Sequence, residues 1–346
     1  MKKMICAIVF FVAALGLQAA SRLTDYMDTQ DTYLIAYINV DSVREANIYS
    51  TIKANLPTKQ DKSDIVAVYY PEASAKGITE KDISEAALCV DVVQSKPIMK
   101  ETISYQLGIK LKKSISKEDV VSILTADPSG KSKFTTKQIT VSLMKVIQIT
   151  SGENSMFVYM PDSKTIFATD NLNDMINLTS RYKAKNPTTL PERMVQQKKL
   201  VSEDSAIYII AAVPPAVRGW LEEEDSKVKP SGDQTQDLVS SLRVIIKNLT
   251  GVTITAKMSD TLDVKAVALF INKNAANILN GLLNQYMPLI KLQIFMMTKS
   301  NTQIPFLNSV VNRIEGNNLV LTFSLTNDDI EGVLNLSPQN QQFNLN

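Results

Sequence analysis

The chain has 346 residues, of which 45% are hydrophobic and 21% charged, with 37 Lys and Arg against 35 Asp and Glu. This balance is typical of a globular protein, because disordered chains are poorer in apolar residues and nucleic-acid-binding chains carry a larger positive excess. The sequence contains no histidine. It therefore excludes Ser-His-Asp and Cys-His hydrolases, histidine-ligated metal centres and an imidazole proton switch near neutral pH.

The first 20 residues are predicted to be a secretory signal peptide. Lys2 and Lys3 precede an unbroken apolar run over residues 4–15, and small residues follow at the end of the segment. The apolar run is shorter than the roughly 20 residues that a transmembrane helix needs. We therefore expect an exported protein, periplasmic or extracellular, with no transmembrane span in the mature chain.

Charge and cysteine content restrict what the mature chain can bind. Removing residues 1–20 takes away two lysines and no acidic residue, which leaves 35 basic groups against 35 acidic ones. A neutral chain has no long-range field that attracts nucleic acid, so no nucleic-acid partner is expected. Cys89 is then the single cysteine, which cannot form an intramolecular disulfide and fits a buried strand position. Calcium-binding and phosphate-binding signatures are absent, so no metal site and no cofactor are predicted.

The predicted elements of the first half begin after a polar segment, residues 21–32, that we expect to be a flexible leader. Residues 33–40 are dense in β-branched and aromatic side chains and predict a strand. Residues 103–111 alternate strictly between apolar and polar side chains, which predicts a strand with one buried face. Turn residues at 161–164 separate two further strand-like runs and predict a hairpin. The first α+β unit accordingly spans residues 33–182.

Short polar residues mark where several helices should begin. Asp41 is placed to cap the first helix, Ser116 a second, and Asp170 or Asn171 a third, because their side chains can accept hydrogen bonds from free backbone N–H groups. The segment 79–82 resembles a capping box with Asp in place of Glu. These residues predict helix boundaries and carry no functional information.

The second half repeats the beginning of the first. Residues 183–205 are polar and predict a linker, after which residues 206–213 form a strand of the same kind as residues 33–40. A long helix follows near residues 275–297, and a strand pair and a short helix close the chain. The second α+β unit spans residues 206–346.

The predicted fold class is α+β, with two similar units of mostly antiparallel sheet and helices packed on one face. Both units follow the order strand, helix, helix, strand, strand, helix, strand pair, helix, which a tandem duplication would produce. Adjacent strands with helices between pairs favour antiparallel pairing over a parallel doubly wound sheet.

A histidine-free hydrolase is the alternative class of protein. Ser50 and Lys53 have the i, i+3 spacing that places both side chains on one helix face, where a neutral lysine can take a serine proton. The tripeptides Ser-Asp-Asn and Lys-Thr-Gly, which accompany this spacing in penicillin-binding proteins, are absent. Paired carboxylates are the second route, and the candidates are the acidic groups at 222–225 and 328–331 and the pair of Asp31 with Asp41. Acidic residues at a helix start are stabilising without any catalytic role.

The long helix predicted near residues 275–297 is the best candidate for a ligand or partner surface. Its apolar residues recur at helical spacing, which a core helix also requires. The residues singled out are Leu282, Leu283, Met287, Phe295 and Met296.

These observations predict an exported, non-catalytic binding or scaffolding protein of a bacterial envelope or periplasm. Its partner would be an unknown protein or an apolar ligand, and a carrier of an apolar ligand is the remaining alternative. The sequence names neither the ligand nor the oligomeric state.

Overall fold

The structure is a computed structural model that describes residues 23–24, 26–27, 32–55, 64, 66, 70–95, 100–126, 133–185, 190–214, 234–298 and 306–335. The predicted signal peptide, residues 1–20, the candidate carboxylate Asp31 and the acidic segment 222–225 lie outside these residues.

The first half of the described chain contains seven strands: β1 (Thr32–Asn39), β2 (Ile83–Ser95), β3 (Lys100–Leu111), β4 (Thr135–Val141), β5 (Met144–Ser151), β6 (Asn154–Tyr159) and β7 (Thr165–Thr169). Its helices are α1 (Val40–Glu45), α2 (Asn47–Asn55), α3 (Pro71–Ala75), α4 (Lys117–Thr125) and α5 (Leu172–Ala184), followed by α6 (Glu192–Lys198). The second half contains β8 (Ile207–Ala212), α7 (Gln234–Asn248), β9 (Leu249–Met258), β10 (Leu262–Phe270), α8 (Lys273–Thr298), α9 (Phe306–Ser309), β11 (Val311–Glu315), β12 (Asn318–Leu325) and α10 (Asn327–Asn335).

The strands form one sheet with the order β11-β12-β10-β9-β8-β1-β2-β3-β7-β6-β5-β4. Neighbouring strands are antiparallel throughout this described sheet. The two halves meet where β1 pairs with β8, and Tyr37 lies opposite Tyr208 there. Outward from this junction, the order β1-β2-β3-β7-β6 corresponds to β8-β9-β10-β12-β11. The fold is therefore α+β with an antiparallel sheet, as predicted, and its strand order is compatible with two similar units.

The two faces of the sheet are covered differently in the two halves. We call face A the face towards which Ala36 and Ile38 point, and face B the face towards which Ile35 and Tyr37 point. In the first half both faces are apolar, so α1 to α4 cover face A while α5 and α6 cover face B. In the second half α7, α8 and α10 pack on face A. Helix α6 also packs on face B of β8 and β9 in the second half. Both faces of the sheet therefore carry helices, whereas the sequence predicted helices on one face.

Two segments that were expected to be peripheral contribute to the core on face B. Leu23 and Met27, in the predicted flexible leader, are buried among the face B side chains, and Arg181 Nη1 donates a hydrogen bond to Met27 O at 3.2 Å. Met194, in the predicted linker, is fully buried in the same cluster as part of α6. The physical reason is that the second apolar face of the first half needs cover, and these segments supply part of it.

Helix α6 approaches the sheet most closely at Gly251 of β9. A Cβ atom at this position would lie 2.2 Å from Gln197 Nε2 and 2.5 Å from Ala211 O. The second contact is to backbone, which cannot move aside as a side chain can. The absence of a side chain at Gly251 therefore allows α6 to pack over the junction of β8 and β9.

We predict opposite effects for two glycine substitutions. Gly251→Ala forces α6 and β8 apart and should lower the free energy of unfolding by about 2 kcal/mol, the range for overpacking a close contact. Gly281→Ala is the matched control, because nothing lies within 4 Å of the added Cβ in helix α8. This control should raise the free energy of unfolding by about 0.5–1 kcal/mol through helix propensity. Urea unfolding measures the free energy of unfolding of both variants. A value for Gly251→Ala equal to that of the unsubstituted protein would contradict the close packing of α6 at this glycine.

Candidate functional site

Helix α8 begins as a core helix on face A. Ala275 and Ala276 are fully buried against Phe270, Leu319 and Ile245. The next apolar residues of the same helix face, Leu279, Leu282 and Leu283, are half-buried in the same cluster. The small side chains at the start of α8 allow its backbone to approach the sheet closely, and the leucines then fill the wider space beyond.

The apolar side of α8 continues past its packed leucines. Leu289 follows Leu282 at i+7, so it lies on the same helix face, yet 56% of its surface is exposed. Leu292 is 52% exposed. Pro288, which lacks an N–H, interrupts the hydrogen bonds of the helix just before this point. We call residues 289–292 the overhang of α8, because Leu289 and Leu292 are exposed whereas the preceding leucines of this helix are half-buried.

Polar contacts fix how α8 is rotated against the sheet. Asn312 of β11 donates from Nδ2 to Asn280 Oδ1 at 2.5 Å and to Asn284 Oδ1 at 3.0 Å. Lys291 Nζ donates to Asn308 Oδ1 at 3.2 Å, within the overhang. The Asn contacts lie on a different side of the helix from Leu289, so they hold that leucine towards solvent.

The structure separates the predicted surface residues into groups. Leu282 and Leu283 pack in the core cluster, so they stabilise the fold, and Met287 is half-buried. The side chains of Phe295 and Met296 lie outside the described residues, although the helix backbone continues through both. The structure places the predicted helix at α8, and neither Leu289 nor Leu292 was singled out from the sequence as a surface residue of that helix.

The Ser50 and Lys53 pair is placed on α2, and each side chain has another partner. Ser50 is exposed, and its Oγ donates to Asn47 O at 2.8 Å in the preceding turn. The Lys53 ammonium forms an ion pair with Glu80. A lysine that takes a serine proton must be neutral, whereas an ion pair with a carboxylate stabilises its charged form. The observed contacts therefore favour a structural role for Lys53.

Glu80 is a buried carboxylate that sequence reasoning did not single out. It is 4% exposed, and Tyr49 Oη donates to its Oε2 at 3.2 Å. Arg44 Nη1 donates to the Glu80 carbonyl at 2.8 Å. Burial, and then the negative charge of Glu80, raise the pKa of the Tyr49 hydroxyl above its ordinary value. The cluster ties α1 and α2 to the turn before β2, so it holds the fold together.

The candidate carboxylates that the structure describes also have structural partners. Asp329 is buried and accepts hydrogen bonds from Thr326 N at 2.9 Å and Thr326 Oγ1 at 2.7 Å, which is a capping box at the start of α10. Asp41 pairs with Arg44 and Lys112. Among the described residues, no group of three or more Cys, Asp or Glu side chains has the arrangement that holds a metal ion.

The two most prominent clefts of the described chain lie beside the segment that leads from α6 to β8. The larger measures about 830 Å³ and lies between α6 and strands β9 and β10, with polar groups such as Glu192, Arg193 and Asn318 in its walls. The smaller measures about 460 Å³ and includes Lys257 and Asp263. Both clefts are lined by apolar as well as polar side chains, so their linings do not distinguish an apolar ligand from a polar one.

Comparison with known proteins does not assign the chain to a family, so the architecture is the main guide to its class of protein. No family model and no curated protein matches the chain. Two solved structures are similar to it, described as crystal form I and crystal form IV of TP0453. Form I has a TM-score of 0.37 and 11% identity, covering 92% of this chain and 99% of that one. Form IV has a TM-score of 0.40 and 11% identity, covering 92% of this chain and 98% of that one.

A helix that crosses a bilayer must be both long and apolar. None of the helices in the described residues combines the length and the apolar character that a membrane crossing needs.

We predict that Tyr49 makes the stability of the protein fall at alkaline pH. Above pH 10 the unfolded chain loses its tyrosine protons while folded Tyr49 keeps its own, because its pKa is raised. The unfolded state then binds fewer protons, so the free energy of unfolding decreases as pH rises. Between pH 9 and pH 11 this group should account for about 1 kcal/mol of the loss.

Urea unfolding at pH 9 and at pH 11 tests this expectation. Tyr49→Phe should lose less stability over this interval than the unsubstituted protein. Tyr70 and Tyr159, whose pKa values burial raises to about 12, remain in both proteins and maintain a common background. An identical loss in the two proteins would show that Tyr49 is not shielded as described.

Proposed function

We propose that the protein is an exported, non-catalytic binding protein whose α8 overhang contacts an apolar surface of a partner protein. The observation that supports this proposal is the exposure of Leu289 and Leu292 on a helix whose preceding apolar residues are buried. Contiguous exposed apolar side chains at the end of an ordered helix are typical of interaction sites. Export is part of the proposal, and its support is the signal-like segment at residues 1–20.

The energy available at the overhang is sufficient for a specific contact. Burying one leucine contributes about 1.5–3 kcal/mol. Leu289 and Leu292 together therefore supply several kcal/mol, and residues 294–297 continue the apolar sequence with Ile, Phe, Met and Met. A helix presented on a rigid sheet also loses little conformational freedom on binding. The partner that fits such a site offers a groove or an apolar helix.

Lys291 is the charged residue of the overhang, and it is adjacent to Leu292 in the chain. Lys247 and Lys273 lie at the opposite end of α8, because Asn272 just before α8 donates a hydrogen bond to Asn248 at the end of α7. A partner with an acidic residue beside its apolar groove would therefore meet complementary charge at Lys291.

Site-specific photocrosslinking in the cells that make the protein tests the proposal. A benzoylphenylalanine residue at position 292 should give one protein adduct of discrete mass, because Leu292 would lie in the interface. The same residue at position 277 is the control, since Asn277 is exposed on α8 before the overhang. Equal crosslinking yields from positions 292 and 277, or no crosslink from either position, would contradict the proposal.

A double substitution provides the second arm of this prediction. Leu289→Glu with Leu292→Glu should reduce the yield of an adduct formed from position 296 by about tenfold, since two buried charges cost more than the 1.4 kcal/mol that this ratio represents. Asn274→Glu with Asn277→Glu adds the same charge at the same spacing to exposed positions of the same helix. This control pair should leave the adduct unchanged.

The hydrolase alternative makes a different prediction. A fluorophosphonate probe should leave the purified protein unlabelled, because Ser50 donates its hydrogen bond to Asn47 O and Lys53 is paired with Glu80. Mass spectrometry of the intact protein measures the outcome. Labelling that disappears in Ser50→Ala would replace the binding proposal with a catalytic one.

A further inference from the structure

Within the residues that the structure describes, the sheet ends at strand β4, which pairs on one side with β5 and occupies the last position of the strand order. Val141 and Met144 flank the two-residue turn between the strands, so they form the hydrogen-bonded pair that closes the hairpin. Hydrogen-bonded positions alternate along an antiparallel pair, and the N–H and C=O groups of Thr136, Gln138 and Thr140 therefore point away from the sheet. These groups form an edge that can accept another strand.

The two-residue turn at the end of β4 requires positive φ at both of its residues, because this conformation matches the twist of the hairpin strands. Ser142 has φ 49° and Leu143 has φ 67°, a left-handed conformation that Asn and Gly adopt much more readily than a bulky residue. Leu143 is also 79% exposed, so it gains little from burial in the protein itself. Unfavourable backbone conformations concentrate at binding sites, where they position a side chain.

The turn that carries Leu143 lies against helix α5, where Ser142 Oγ donates a hydrogen bond to Ile176 O at 3.4 Å. Ser180 Oγ donates to Ser142 Oγ at 2.8 Å, which holds the turn against helix α5. Leu172 and Ile176 lie one helical turn apart on α5 and are 40% and 38% exposed. We call β4 together with Leu143, Leu172 and Ile176 the edge site. It combines free backbone hydrogen-bonding groups with an apolar patch at one end.

The charges of the edge site select among its occupants. Lys137 lies on β4 and Lys133 immediately precedes this strand; both are exposed, and no acidic residue occurs between positions 133 and 149. Lys145 lies on β5 opposite Thr140, so it projects from the other face of the sheet and does not belong to this edge. A second copy of the chain would bring two further lysines to the same edge, and exposed lysines on an edge strand disfavour such self-pairing. An acidic strand would meet complementary charge instead.

We infer that the edge site binds an extended segment of a partner protein, which adds to β4 as a further strand. Backbone hydrogen bonds to the outward groups of β4 provide affinity, as in other strand-addition complexes. Acidic side chains of the segment lie near Lys133 and Lys137, and apolar side chains at one end contact Leu143 and Ile176. The site lies at the opposite end of the strand order from β11, which contacts α8, so this inference does not depend on the proposed role of the overhang.

Fluorescence polarisation with a fluorescein-labelled nine-residue peptide of alternating Glu and Val tests the inference on the purified protein. Gln138→Pro removes one outward N–H without removing a bond between β4 and β5. It should weaken peptide binding by at least about tenfold. Gln138→Ala, which keeps the N–H, should bind within about twofold of the unsubstituted protein. A peptide of alternating Lys and Val should bind at least about tenfold more weakly than the acidic one.

Several outcomes would overturn the inference. They are undetectable binding of the acidic peptide by the unsubstituted protein, and equal binding by Gln138→Pro and Gln138→Ala. Sedimentation equilibrium adds a third, because a dimer that Gln138→Pro dissociates would assign the edge to a second copy. Thermal unfolding of both variants confirms that each is folded.

Leu143→Gly separates a binding role from a structural one. Glycine relieves the left-handed backbone conformation, so the unfolding midpoint should rise by about 2 °C. The same substitution removes the apolar side chain from the edge site, so peptide affinity should fall by about fivefold. If Leu143 had only a structural role, Leu143→Gly would not raise the stability and lower the peptide affinity at the same time. An unchanged affinity in Leu143→Gly would contradict the inference.

Discussion

The antiparallel pairing of β1 with β8 is the contact on which the rest of the structure depends. It joins two sets of strands into one sheet, and Tyr37 and Tyr208 lie against each other across it with ring centroids 5.1 Å apart. Both strands bury side chains, among them Ile35 and Ile210, and each such residue contributes about 1.5–3 kcal/mol. A second connection reinforces the junction, because Ile330 of α10 packs against Ile48 of α2. Without these contacts each half would expose the edge of its first strand.

The described sheet has two ends, β11 and β4, and each of the two candidate surfaces lies near one of them. At one end α8 follows the outer strands of the second half and leaves Leu289 and Leu292 exposed. At the other end β4 has no partner beyond it in the described sheet. The buried polar groups between them, such as Glu80 with Lys53 and Tyr49, hold helices to the sheet. A core whose helices are held to the sheet, with exposed surfaces at both ends of that sheet, is consistent with the proposed binding or scaffolding role.

Local features were predictable from the sequence because they depend on neighbouring residues. Ser116 and Asn171 cap helices as expected, and the hairpin of β6 and β7 forms around the predicted turn. The first helix shows the limit of such reasoning, because Asn39 caps it and Asp41 pairs with Arg44 and Lys112. Asn39 and Asp41 are only two residues apart, and either side chain can serve as a cap. Asn39 caps the helix here, and Asp41 is instead paired with Lys112 from another part of the fold.

Periodicity and composition determined the antiparallel α+β class, the strand positions and the candidate helix, since alternation and helical spacing are properties of the chain itself. The tertiary structure alone decided which apolar residues remain exposed. Leu282 and Leu289 have equivalent positions on one helix face, yet Leu282 packs in the core cluster and Leu289 is exposed. Helical spacing is the same at both positions, so only the three-dimensional packing distinguishes them. The burial of Leu23 and Met27 has the same origin, since it requires an uncovered apolar sheet face that only the assembled strands create.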